Sequence, residues 1–327
     1  MILIILKLEI LVTGAAGYIG SHFTNEALKR GFKVVAIDNL IKGNKNNIPK
    51  NKNLTFYKLD LLEKEKLEEI LKNHNIDVVF HFAALVEVNE SVEDPYLYYK
   101  NNVEGSLNLI EASINSGIEY FVFSSSAAVY GDPLYTPVDE KHPTNPKSPY
   151  GSSKLIVEEI LKQYHKWKKL KSVVLRYFNV IGSYYSKPTN KNGLPFALTK
   201  ALKEKRIRIF GKDYNTKDGT PVRDFIDVLD LVEAHFYAYD FLKRKNSYEI
   251  FNLGSGKGYT VLEIIEKFNK ILKEKDLDEI KVDFVERREG DVEKVFCSYE
   301  KAKKMLNWEP RRKIEESLES LLNSLKE

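Results

Sequence analysis

The sequence predicts a doubly wound α/β fold, a parallel sheet covered by helices on both faces, followed by a smaller α/β domain. Two observations carry that prediction. Short β-branched and aromatic runs alternate with segments of helical period through the first half of the chain, the pattern of a parallel sheet wrapped by its crossover helices. A glycine-rich run, TGAAGYIG (13–20), sits between the first such strand and the first such helix. Taken in order, the strands are expected at 10–13, 33–37, 54–58, 78–82, 120–124 and 172–176, with helices at 21–30, 63–73, 96–116 and 150–168. Beyond Phe178 the alternation gives way to loop-rich sequence (Asn190, Asn192, Gly193, Pro195), short strands and a charged terminal helix. The 327 residues exceed one ordinary core of roughly 150. A first domain is therefore expected over 1–178 and a second over 179–327, with part of 223–255 packing back on the first.

Composition narrows the function classes. Hydrophobic residues make up 43% of the chain and charged residues 30%, with no uncharged apolar stretch of about 18 residues, so fibrous, disordered and membrane-spanning classes are excluded. Lys7 and Glu9 interrupt the apolar start, so no signal peptide is expected and residues 1–6 should extend or precede the first strand. The net charge of +4 is spread without a basic block, which disfavours a nucleic-acid partner. A single cysteine, Cys297, excludes an internal disulfide and a cysteine-rich metal site, and makes a cytoplasmic location the default. The six histidines show no metal spacing, so no metal is expected. The run GSGKG (254–258) lacks the gap and the Ser/Thr of a phosphate-binding P-loop and reads as a turn after a strand. The Lys/Glu-rich segment 268–279 reads as a solvated helix face.

Gly14, Gly17 and Gly20, with Tyr18 and Ile19 between them, stand where backbone can approach a pyrophosphate at the positive end of a helix. Asp38, 24 residues after Gly14, closes the second strand where a carboxylate accepts ribose hydroxyls and repels a 2′-phosphate. With Asn39 beside it and no Arg following, the expected cofactor is NAD. Asp60 and Leu61 close the third strand where an adenine would lie; Phe82, Ala83 and Ala84 close the fourth, where small residues admit the rest of the cofactor.

Tyr150 and Lys154 are four residues apart and share a helix face, and Ser126 ends a strand pointing at the same spot. A phenol must lose about 4 kcal/mol of protonation preference to act as a base near neutrality. One nearby cation supplies roughly one to three pH units, so Lys154 alone is marginal and the positive nicotinamide of an oxidised cofactor completes the shift.

The motifs TGAAGYIGSH (13–22), HFAAL (81–85), FSSSAAVYG (123–131), SPYGSSK (148–154), RYFN (176–179), IFGKDYNTKDGTPVRDFIDV (209–228) and RREGD (287–291) resemble the extended short-chain dehydrogenase/reductase family. Within it the chain is similar to the UDP-glucose 4-epimerases over essentially its full length. The resemblance implies a Rossmann-type first domain, NAD as cofactor, and a UDP-hexose substrate inverted at C4 through a transient 4-keto sugar. It extends to N-acetylated UDP-sugars and to a homodimer; the helices from Tyr96 and Tyr150 carry apolar residues on more than one face (Leu155, Val157, Ile160, Leu161, Trp167), which suits a four-helix dimer seam or, more plainly, burial beneath the second domain. The resemblance makes Tyr150 the base, sets Lys154 on the nicotinamide ribose and Ser126 on the sugar hydroxyl, and adds Tyr177 to the cofactor-binding set. Around UDP it puts Asn179, Asn192, Phe210, Arg223, Arg288 and Asp291. Val295 stands at the position that gates N-acetylated sugars, where a tyrosine would fill the space and valine leaves it open; its plainer reading is an inward strand residue. Ala128, Val86 and Val180 depart from the commoner pattern of threonine, lysine and proline. The rival readings are a UDP-glucuronate epimerase or decarboxylase and, in another class, a non-catalytic dinucleotide sensor.

Overall fold

The computed structural model describes residues 8–188, 191, 193–288 and 291–324. The proposed extension of the first strand by residues 1–6, and Asn192, lie outside the described residues. In chain order the first part comprises β1 (Glu9–Thr13), α1 (Tyr18–Lys29), β2 (Lys33–Asp38), β3 (Leu54–Lys58), α2 (Lys64–Lys72), β4 (Ile76–His81), α3 (Val88–Glu93) and α4 (Pro95–Tyr98). A π-helical turn (Tyr99–Glu104), α5 (Gly105–Asn115), β5 (Tyr120–Ser126), α6 (Pro149–Lys168) and β6 (Lys171–Tyr177) complete it. Then come β7 (Asn179–Ile181), α7 (Leu194–Glu204), β8 (Arg206–Phe210), β9 (Val222–Asp227), α8 (Val228–Arg244), β10 (Tyr248–Leu253) and β11 (Gly258–Thr260). The chain closes with α9 (Val261–Glu274), β12 (Lys281–Val285), β13 (Lys294–Val295), α10 (Glu300–Leu306) and α11 (Ile314–Asn323).

Seven strands form one sheet in the order β10-β6-β5-β4-β1-β2-β3, every neighbouring pair parallel. Strand alternation sorts its side chains onto two helical layers. Ile10, Val12, Val34, Ala36 and Phe80 pack with Phe23 of α1 and Phe236 of α8. Leu11, Val35, Val79, Phe121 and Val174 pack with Leu67, Leu109 and Val157 of α2, α5 and α6. Order reverses between β1 and β4, and at such a switch point the carboxyl ends of the strands leave a crevice. Past β6 the chain moves at once into a smaller sheet, where β9 pairs with β7, β11 and β13, before α8 and β10 return it to the large one. A separate core of Ile181, Leu198, Ile207, Phe225, Phe268 and Leu318 lies under the small sheet.

Three sequence expectations need correction. The helix expected over 96–116 is broken by the π-helical turn, which widens the coil and turns Asn102 inward, where it bridges the Leu85 backbone and Ser153 of α6. A one-residue expansion leaves the apolar spacing nearly intact, so periodicity does not reveal it. Within segment 268–279 the part before Lys273 is not a solvated face: Lys270 is exposed, but Phe268, Ile271 and Leu272 are core residues of α9, and continuous exposure begins only at Lys273. The stretch after 178 carries α8, seventeen residues long, which is apolar on most sides because it lies between α1, the sheet and α10.

Candidate active site

The carboxyl ends of the large sheet open on a cavity of about 1040 Å³. At one end Gly14 has φ +69°, and a Cβ there would come within 2.6 Å of the Ala83 amide. A Cβ on Gly20 would lie 2.1 Å from the Gly14 carbonyl. The β1–α1 turn thus rests directly on the end of β4, and only glycine allows it. Helix α1 begins at Gly17 with no side chain capping it, so its positive end faces the cavity. Asp38, at the end of β2, accepts from the amides of Ala16 (2.9 Å) and Leu40 (2.8 Å), while burial pushes its carboxyl above the usual range. Asn39 Nδ2 donates to Asp60 (2.9 Å), whose other oxygen takes the Leu62 amide (3.0 Å), fixing the ends of β2 and β3 together. A glycine-only cradle at a helix's positive end, with a carboxylate one strand away, fits a diphosphate joined to a ribose.

Deeper in the cavity, Lys154 is 3% exposed and donates to the Ser124 carbonyl at 2.8 Å. Burial pushes its ammonium down to about 7, with Glu158 opposing the shift. One turn earlier on α6, Tyr150 is half-buried at the cavity wall beside Ser126. Burial raises its phenol above the ordinary value, and the Ser126 hydroxyl pulls the other way. By itself, therefore, the chain keeps Tyr150 protonated at neutral pH, which agrees in direction with the need for a further cation.

The other end of the cavity is lined by Asn179, Arg223, Val292 and Val295. Arg223 reaches Asp291 at 3.2 Å, and Val295 on β13 stands in register opposite it. Behind them the Arg288 guanidinium lies 3.6 Å over the Phe210 ring. Strand β9 is held from beneath by Asp224, fully buried, whose carboxylate takes the amides of Ser255 (2.6 Å), Gly256 (3.0 Å) and Cys297 (3.1 Å). The glycine run at 254–258 is accordingly a turn wrapped around a carboxylate of the protein itself.

Residues 10–254 match the family model described as the NAD dependent epimerase/dehydratase family. The UDP-glucose 4-epimerase of Rhizobium meliloti (strain 1021) is 40% identical over 324 residues, 96% of each chain. The chain belongs to the NAD dependent epimerase/dehydratase family. Among solved structures, the UDP-glucose 4-epimerase from Bifidobacterium longum, in complex with NAD+ and UDP, is 34% identical with a TM-score of 0.87, over 96% of this chain and 97% of that one. The UDP-Glc/GlcNAc 4-epimerase from Campylobacter jejuni is 35% identical with a TM-score of 0.83, over 98% of this chain and 99% of that one.

In this family member all the sequence-predicted cofactor positions line one cavity: Gly14, Gly17, Tyr18, Ile19, Gly20, Asp38, Asn39, Asp60, Leu61, Phe82, Ala83, Ala84, Tyr150, Lys154 and Tyr177. The Tyr18 hydroxyl donates to the Gly182 carbonyl and the Tyr177 hydroxyl pairs with His235, so both phenols have partners within the protein. Phe210, Arg288 and Asp291 are not among the described residues that line the cavity; Asp291 is tied to its wall by the ion pair with Arg223, and Arg288 stacks on Phe210. Sequence reasoning missed Gly43, where a Cβ would sit 2.6 Å from the Asp38 carboxylate, and Asn101, which the π-helical turn brings to the wall. It also missed Ser186, Lys187 and Pro188 on the loop after β7. No motif flags these; only the Asn-Asn pair at 101–102 hints at a polar insertion.

Proposed function

We propose that this chain interconverts UDP-glucose and UDP-galactose by inverting C4 of the sugar, and acts likewise on UDP-N-acetylglucosamine and its galacto epimer. The observation that carries the reading is the single cavity joining the glycine cradle, the Tyr150–Lys154 face of α6 and Arg223. Tyr150 takes the proton of the sugar 4-hydroxyl, and Ser126 holds that hydroxyl against it. Bound in the cradle, NAD supplies a reversible two-electron acceptor and a positive charge. Lys154 keeps a cation beside the phenol from within the helix. Arg223 and Arg288 offer forked donors to the diphosphate, Phe210 an apolar face to the uracil, and Asp291 an acceptor to the uridine ribose. Inversion requires the keto sugar to turn over, so the UDP end must grip while the sugar end, walled by Ala128 and Val295, stays roomy.

The test is to incubate the purified protein, with no added cofactor, with UDP-galactose and identify the product by NMR of the anomeric and C4 protons. The gluco epimer is expected, and Tyr150→Phe should slow its formation by roughly a thousandfold. No inversion by the unaltered protein would end the proposal.

No helix among the described residues is long and apolar enough to cross a membrane. On α6, Val157 and Leu161 face the sheet, whereas Ile156 and Trp167 stay exposed, as do Val92, Tyr96 and Leu97 on the neighbouring α3 and α4. This apolar face suits a second copy of the chain, and a monomer mass by sedimentation at micromolar concentration would exclude that arrangement.

A further inference from the structure

Beneath the Tyr150–Lys154 pair lies a buried ion pair that the proposed chemistry does not use. Glu158 is one turn beyond Lys154 on α6 and Arg176 is near the end of β6; their side chains are 3% and 4% exposed. Arg176 donates from Nε to Glu158 Oε1 (3.0 Å) and from Nη2 to Oε2 (2.5 Å), and Ser125 Oγ donates to Oε1 (2.5 Å). The guanidinium stands 4.8 Å over the Tyr130 ring, and the Tyr130 hydroxyl donates to Asn252 of β10 at 2.6 Å. Tyr248, also of β10, donates to the Glu158 carbonyl at 3.0 Å. Ser125 sits between Ser124, whose carbonyl receives Lys154, and Ser126, the neighbour of Tyr150. At the end of β5, Ser124 and Ser125 are therefore held to α6 by Lys154 and by Glu158 in turn, and Ser126 follows them beside Tyr150.

Stability alone does not explain such a pair, because replacing a buried ion pair with apolar side chains of similar volume is often neutral or stabilising. We propose that Glu158 is a positioning residue for the reaction: clamped by Arg176 and Ser125, it fixes α6 to the end of β5 and supplies the negative charge that Lys154 faces inside the protein. This rests on the catalytic reading of Tyr150 and Lys154 given above. The groups around Lys154 support it. On its own helix are Tyr150 and Glu158; on β5 are the Ser124 carbonyl and the Phe123 ring at 4.9 Å. On β4 stands His81, kept neutral because burial pushes it down to about 3, and on β6 Tyr177, which burial keeps protonated. Among these described groups Glu158 is the anion, and it opposes the burial that drives Lys154 toward the neutral amine. With Lys154 near 7, a further drop of about one unit would leave roughly a tenth of the molecules charged at pH 7.

The experiment is a 13C NMR titration of the purified protein labelled at lysine Cε, with the Lys154 resonance identified by its loss in Lys154→Met. The pH dependence of kcat on UDP-galactose is recorded beside it. Rising pH removes the ammonium, so Glu158→Gln should lower the Lys154 midpoint by about one unit and move the alkaline fall of kcat down with it. A residue that only held the fold would scale kcat at every pH and leave that fall in place. Because Glu158→Gln strands a buried guanidinium, the double variant Glu158→Gln with Arg176→Met removes both charges at similar volume, and a downward shift is expected there too. An unmoved midpoint in either folded variant overturns the proposal. The titration does not depend on turnover, so the two failures separate: inversion with an unmoved midpoint refutes the role of Glu158, whereas a moved midpoint with no inversion by the unaltered protein refutes the epimerase reading beneath it.

Discussion

At the proposed cofactor end of the cavity the glycine run, Asp38, Asn39, Asp60, Leu61, Phe82, Ala83 and Ala84 lie at or after the carboxyl ends of β1 to β4 in the large sheet, joined by Tyr150 and Lys154 of α6, and the seating of the glycine turn on β4 is imposed by backbone. At the proposed uridine end the candidate residues come from β8, β9 and the segment around β13, and they are tied together by side-chain pairs: Arg223 with Asp291, Arg288 with Phe210. The first arrangement is fixed once the sheet forms. The second exists only when three segments far apart in sequence have met. The contrast suggests two separable functions, a rigid seat for a cofactor that stays and a clamp for a substrate that must come and go.

The strongest way to break that contrast is to put a side chain where the seat has none. In Gly20→Val the new atoms would meet the Gly14 carbonyl, backbone that cannot yield without moving the β1–α1 turn off β4. The bound NAD released on denaturing the purified protein should fall from about one per chain to below a tenth, with inversion lost in parallel. Gly31→Ala is the control. Gly31, unlike Gly20, has positive φ, +86°, but nothing lies within 4 Å of its added Cβ, so about 1–2 kcal/mol of local strain is expected and NAD stays. Equal loss of NAD in both variants would mean that the cradle has no special part in holding it.

The same division explains what could be read in advance. The glycine run, Asp38 and the Tyr150–Lys154 spacing are local signatures, tied to adjoining strand and helix ends, and they were legible from residue types alone. Arg223 and Arg288 became legible only through the family resemblance, because an Arg-Asp dipeptide at 223–224 or a charged triplet at 287–289 states nothing about what it will face. Asn101 and Asn102 stayed hidden for a third reason: a π-helical turn changes where side chains point without disturbing the apolar pattern that betrays a helix. Glu158 and Arg176 were invisible as a pair, since one belongs to a helix, the other to a strand, and only burial reveals that they must meet.

A smaller effect is expected from loosening the clamp. Arg223→Met keeps most of the side-chain volume and removes the forked donors. The KM for UDP-galactose should rise about thirtyfold, the worth of roughly 2 kcal/mol of charge-assisted hydrogen bonding. NAD content should not change, because Arg223 stands at the opposite end of the cavity from Gly14 and Asp38. Loss of NAD from this variant would show that seat and clamp form one cooperative unit, and the contrast would fall.

The subtlest difference lies within the clamp's own wall. Val295 stands opposite Arg223 in the β13–β9 pairing and lines the cavity, so a larger side chain there would take up space at the Arg223 end, where the proposed reading puts the sugar. Val295→Tyr should therefore separate substrates by one substituent. The kcat/KM for UDP-N-acetylgalactosamine should fall at least about tenfold, the usual worth of a steric clash in a small pocket, while that for UDP-galactose changes by no more than about threefold. Unequal loss places an acetamido-sized space beside Val295 and sharpens the picture of a firm uridine grip with a roomy sugar end. Equal loss of both would mean that Val295 is packing for β13 itself, that the phenol disturbs Arg223 across the pairing, and that the room for N-acetylated sugars is set by some other part of the wall.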